Sequence, residues 1–168
     1  MSREEVLDRV LFSHYFEKMF STLTGRIDRL LSFLSLFLGS SIVADIGSPV
    51  WSGISIAMIS ALQMTFQFGK SSEHSRKQAK QYQVLFTTAF KLDDDELFNK
   101  MLEIEDNDFE PWAVLHNPAI LRTRIHLGVA PDEHEPDLNI IERITARIAG
   151  GPSKRPMTSS PDSKKNTR

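Results

Sequence analysis

Residues 30–69 read LLSFLSLFLGSSIVADIGSPVWSGISIAMISALQMTFQFG. Leu30 to Ala44 carries no charged side chain, and Ile46 to Gly69 carries none either. Only Asp45, in the short turn Asp45-Ile46-Gly47-Ser48-Pro49, interrupts the pattern. A helix crosses a hydrocarbon core of about 30 Å with about 20 predominantly apolar residues. In a soluble protein the same stretch would be a buried helical hairpin, and covering it would take a large core. The expected fold is therefore all-α, built on a two-span transmembrane helical hairpin over residues 26–70, with spans at about 28–45 and 49–69.

The first run is the shorter half. Fifteen residues lie between Arg29 and Asp45, which at about 1.5 Å per residue is less than a full hydrocarbon core. Arg26 and Arg29 extend it if their guanidinium groups snorkel towards headgroups, with Asp45 at the far interface and the bilayer thinning around the mismatch. Orientation follows from the flanks. Arg26 and Arg29 precede the first run, Lys70, Arg76, Lys77 and Lys80 follow the second, and the turn between them carries only an acid. By the positive-inside rule both termini are cytoplasmic, in a multi-pass protein of the cell inner membrane. The six basic residues are also candidate contacts for anionic lipid headgroups.

Average composition hides this hairpin. Of 168 residues 40% are hydrophobic and 25% charged, ordinary soluble values, so the apolar segment is attached to a longer hydrophilic remainder that forms one cytoplasmic domain at most. The absence of cysteine excludes a disulfide scaffold, a thiolate metal site and a cysteine nucleophile. The net charge of -2 is unevenly distributed: basic after the second run, acidic from Asp93 to Glu110, basic again at the C-terminus. Glu4, Glu5, Asp8 and Glu17 near the start argue against a cleavable signal.

Residues 1–25 read as an amphipathic helix, with Val6, Leu7, Val10, Leu11, Tyr15, Met19, Phe20 and Leu23 at helical spacing. Gly25 is a candidate joint before the first span. Within the spans the small and polar residues group by face. At 100° per residue Ser32, Ser35 and Gly39 share one side of the first helix, and Ser52, Ser60, Gln63 and Gln67 one side of the second. Such a face either packs helices together or lines a water path in an oligomer.

Residues 71–128 form the cytoplasmic helical region. The second helix is expected to continue past Gly69, with Ala79, Tyr82, Leu85, Phe86, Ala89 and Phe90 as its apolar stripe. Asp93, Asp94 and Asp95 end it and cap the next helix, which buries Leu97, Met101 and Leu102. The acidic stretch from Glu103 to Glu110 lacks the glycine and the ligand periodicity of a calcium loop. Asn117-Pro118 reads as a helix start and Gly128 as its end. Residues 129–150 comprise a loop and a last amphipathic helix, capped by Asp137, whose seam of Ile140, Ile141, Ile144 and Ile148 calls for an assembly partner. Residues 151–168 read as a disordered basic tail. No catalytic constellation, metal site, cofactor motif or nucleic-acid-binding pattern is present; His116 has neither a nucleophile nor a third group beside it, and an enzyme is not expected.

The order of these features, with His74, Ala79, Tyr82 and Leu85 in the helix EHSRKQAKQYQVL, followed by Ile104, Glu105, Glu110, Pro111, Leu115 and Asn117, resembles the SLATT domain. That family comprises two-transmembrane effectors of bacterial nucleotide-signalling conflict systems. The similarity covers roughly residues 5 to 125. It implies an antiviral defence role as a pore-forming or membrane-disrupting effector, a homo-oligomer in the lipid bilayer, with a nucleotide second messenger or a partner protein as trigger. The isoleucine helix and the basic tail depart from the pattern. A membrane-anchored scaffold and a phage holin-like protein are the alternatives.

Overall fold

A computed structural model describes residues 2–108, 111–130 and 136–151. The expected basic tail from residue 152 onward, Glu110, and most of the acidic loop before Pro136 lie outside the described residues. Among those described, the chain is all-helical. The elements are α1 (Arg3–Val43), α2 (Pro49–Phe66), α3 (Phe68–Thr88), α4 (Asp94–Glu105), α5 (His116–His126) and α6 (Ile140–Ile148).

The amphipathic N-terminal helix and the first apolar run are one element: α1 runs unbroken for 41 residues, about 60 Å. It starts on a capping box, Ser2 and Glu5 each satisfying the other's backbone N–H, and Glu4 and Glu5 face the positive end of the helix dipole. Gly25 is not a joint. A Cβ there would lie 2.7 Å from Ser72 Oγ, so the glycine lets α3 approach α1 where Ser72 Oγ donates to the Ser21 carbonyl at 2.7 Å.

Helices α2 and α3 return along α1 antiparallel to it. Contacts pair Ser41 with Ser52, Ser32 with Gln63, Ser21 with Ser72, His14 with Ala79 and Arg3 with Ala89, so one register holds along the whole of α1. The expected continuous second helix breaks once. Gln67 adopts a left-handed φ of 44°, although its N–H still reaches the Gln63 carbonyl at 2.9 Å and its own carbonyl accepts from Ser71 at 3.0 Å. Hydrogen bonding therefore survives while the axis is re-aimed, and Phe68, just past the break, is buried with its ring 6.2 Å from that of Trp112. Burial of that ring offsets a left-handed non-glycine residue, which costs about 1–2 kcal/mol.

The lower halves of α1 and α3 form the base with the remaining helices. One core cluster joins Val6 and Val10 of α1 to Tyr82, Leu85, Leu97 and Met101. A second joins Met19, Phe20 and Leu23 to Leu115, Ala119, Ala146 and Ala149. The N-terminal helix thus packs on the protein's own base. Of the stripe expected to follow Gly69, Ala79, Tyr82, Leu85 and Ala89 are buried and Phe86 is half-buried, while Phe90 is 76% exposed where the chain turns away into the 3-10 turn Ala89–Lys91. Leu102 on α4 is exposed as well.

Two helix starts differ from the expectation. Helix α5 begins at His116, after a 3-10 turn; Asn117 does not cap it but donates through Nδ2 to Glu142 Oε1 of α6 at 2.8 Å. Asn139, not Asp137, caps α6, in a capping box with Glu142. At α5 the contact with Glu142 takes the one cap-competent side chain away from the helix start, and at α6 two candidates, Asp137 and Asn139, stand two residues apart. Asp93 does cap α4, accepting from the Glu96 N–H at 2.7 Å, and Gly128, with φ of 68°, ends α5.

Candidate functional site

The part of the molecule that packing leaves unexplained is the tip formed by the end of α1, the turn and α2. Helix α2 has no buried residue. Phe33, Leu36, Phe37, Val50, Trp51 and Met58 are each more than 60% exposed, an apolar surface far more continuous than an isolated water-facing domain presents. Taken across the break at Gln67, Pro49–Lys91 is long and apolar enough to cross a membrane, and its most apolar 18-residue window is 0% buried. The rest of the tip is charge-poor, Asp45 standing in the turn with a positive φ of 53°.

The small and polar residues of the tip do not form one surface. Gln63 Nε2 donates to Ser32 Oγ at 3.1 Å, and the Ser41 and Ser52 hydroxyls meet at 3.3 Å. Ser32, Ser52 and Gln63 thus lie on the seam between α1 and α2, and Ser35 and Gly39 are half-buried. Ser60 and Gln67 are exposed. The six flanking basic residues are all exposed: Arg26, Arg29 and Lys70 form a collar where tip meets base, and Arg76, Lys77 and Lys80 lie further down α3 alongside the base. Lys77 is already paired with Glu73 at 3.0 Å.

Below the collar lies a buried polar cluster. Glu17 is 1% exposed, and neither its Oε2 nor the nearby Ser75 Oγ makes a hydrogen bond of ordinary geometry. Burial drives its pKa from 4.5 up to about 7, against the smaller opposing effect of the Ser75 hydroxyl. Tyr82, fully buried, donates its hydroxyl to Asp108 Oδ2. Burial raises both groups, Tyr82 beyond any accessible pH, and on Asp108 it outweighs the hydrogen bond that favours the carboxylate. His14 donates Nδ1–H to the Ala79 carbonyl at 2.6 Å, yet burial lowers its pKa. Spacing contained a signal for Glu17: it stands seven residues after Val10 and three after His14, on the face that packs. As a carboxylate it is nonetheless absent from the apolar positions expected to pack.

Contacts from the end of α4 and the residues after it close this region. Ala79, Tyr82, Leu85 and Leu115 are buried. His74 Nε2 lies 2.9 Å from the Asn107 carbonyl, and Gln78 donates to the Ile104 carbonyl at 3.2 Å. Glu105 accepts a forked pair of bonds from Arg9 at 2.6 and 2.8 Å. Each ties the end of α4 to α1 or α3.

The isoleucines expected to form an assembly seam face outward. Ile140, Ile141, Ile144 and Ile148 are 72, 69, 56 and 42% exposed, while Ala146 and Ala149 are buried. Alanine lets α6 sit close to α1, and the larger side chains are left on the surface.

The chain matches no protein-family model, no curated protein and no solved structure.

Proposed function

We propose that the tip is embedded in a bilayer as a two-span hairpin, with the collar at the headgroups and the base and both termini in the cytoplasm. The exposure of every face of α2 other than its seam with α1 carries this reading, since water would leave those side chains unburied at about 25 cal/mol per Å². From the resemblance to SLATT domains, the protein is an oligomeric, pore-forming or membrane-disrupting effector of bacterial defence, triggered by a nucleotide second messenger or a partner protein. Two helices enclose no path, so the function requires self-assembly. Within one hairpin, Ser32, Ser52 and Gln63 hold the helices together, and Ser60 and Gln67 face neighbouring subunits or water. A membrane-anchored scaffold is the second reading, favoured by the outward isoleucine face of α6.

Single cysteines test the topology directly in a chain that has none of its own. Ser48→Cys should react with an impermeant thiol reagent from outside the cell and Glu73→Cys should not; the reverse pattern overturns the orientation. Induced expression then separates the two functions. Ser60→Leu with Gln67→Leu, which alters the two exposed polar side chains and spares the Gln63–Ser32 contact, should insert normally and depolarise cells less than the parent. Undiminished depolarisation by the inserted variant rejects Ser60 and Gln67 as part of the path.

A further inference from the structure

Between α1 and α3, just below the tip, lies a cleft of about 500 Å³ lined by Lys18, Arg26 and Arg29 from one helix and Arg76 and Lys80 from the other. Serine and threonine hydroxyls stand between them, and no carboxylate lines the space. Asp28, next to Arg29 in sequence, points elsewhere, its Oδ2 lying 3.3 Å from where a Cβ on Gly69 would be; Glu73 is paired with Lys77. Among the described residues none of the five cations is in an ion pair. Five like charges gathered around one concavity repel one another, and a bound anion relieves that repulsion. The larger groove on the other side of α3 differs in kind: Glu103 lines it, and Lys77 and Lys100 there are paired with Glu73 and Glu96.

We propose that this cleft is a phosphate-binding site, and that its occupant is the phosphodiester headgroup of an anionic glycerophospholipid. Arginine and lysine side chains suit a phosphate in charge and donor geometry, while the Ser21, Thr22 and Ser72 hydroxyls already donate to the Lys18 and Ser21 carbonyls. Arg29 immediately precedes Leu30, the first residue of the apolar run, so the upper end of the cleft lies at the level of the headgroups if the tip is embedded, and the cleft extends from there down α1 towards Lys18. That assignment of the source rests on the membrane reading above; phosphate binding itself does not.

The test uses the full-length protein in a neutral maltoside detergent, titrated calorimetrically with dihexanoyl phosphatidylglycerol, dihexanoyl phosphatidylcholine and inorganic phosphate. Arg26 stays unchanged, because its Nη1 also donates to the Ile148 carbonyl. Lys18→Gln with Arg76→Gln removes two exposed cations from the cleft. It should weaken phosphatidylglycerol binding about tenfold or more, whereas Lys77→Gln with Lys100→Gln, an equal charge loss in the other groove, should change it less than about twofold. Binding of inorganic phosphate with the same sensitivity, and no preference for phosphatidylglycerol over phosphatidylcholine, keeps the site but assigns it to a soluble phosphate. Binding of neither anion, or equal weakening by both double variants, overturns the site. Native mass spectrometry of the unaltered protein from mixed-lipid nanodiscs gives a readout that needs no variant. Preferential retention of phosphatidylglycerol is expected, and equal retention of both lipids rejects the lipid source. Failure of the topology test, by contrast, leaves the phosphate titration readable.

Discussion

Replacing Glu17 by glutamine should stabilise the protein at alkaline pH and leave it unchanged in acid. Glu17 is buried beside Ser75 between α1 and α3, and its pKa rises from 4.5 to about 7 on folding. The folded state therefore holds the proton more tightly than the unfolded chain. The associated stability is fully present below about 4.5 and is lost as pH rises through about 7. At about 1.4 kcal/mol per pH unit the loss above pH 7 is roughly 3 kcal/mol. A glutamine at this position carries no charge at any pH, so the variant should gain up to that amount at pH 8 and nothing at pH 4. Urea unfolding in detergent micelles, followed by Trp112 fluorescence in a Trp51→Phe background, measures it, because Trp112 packs against Phe20 and Phe68 in the base. Taking the difference between variant and parent at each pH removes the contribution of His14 and leaves that of Glu17 together with its repulsion from Asp108. Parallel stability curves from pH 4 to 8 would refute the buried, protonatable carboxylate.

Three further substitutions probe the packing. Gly25→Ala should cost about 1 kcal/mol by displacing the Ser72 hydroxyl from the Ser21 carbonyl; in a Ser72→Ala background the same change should stabilise, through the helix preference of alanine, and the same urea titrations give the cycle. Tyr82→Phe should cost about 2 kcal/mol, since Asp108 keeps its burial and loses its donor; an unchanged midpoint would show that water replaces the hydroxyl. Ile141→Glu with Ile144→Glu should dissociate an oligomer without altering the fold, read as mass in nanodiscs with circular dichroism as the control. An unchanged mass would place assembly in the tip alone.

The buried face of the N-terminal helix was legible from residue spacing, as were the acidic cap of α4 at Asp93 and the glycine stop at Gly128. All three depend on neighbours within one or two helical turns, where side-chain periodicity and backbone hydrogen bonding decide. The site was legible in part. The charge-free tip and its basic flanks follow from the order of residues, but Lys18 and His14 gave no sign of sharing a cleft with Arg76 and Lys80, which are more than 50 positions away.

What the sequence alone determined is the helical content, the apolar tip and the charge asymmetry around it, because hydrophobicity and local capping are properties of short windows. Only the tertiary structure decided that Gly25 is a point of close approach rather than a joint and that Gln67 breaks the returning helix. It also put Glu17 inside, turned the isoleucines of α6 out, and gave Asn117 to Glu142 instead of to its own helix. Each depends on which surface another helix covers. A residue's spacing fixes the side of its own helix on which it lies, and the packing of α3, α5 and α6 against α1 then determines which of those sides loses its water.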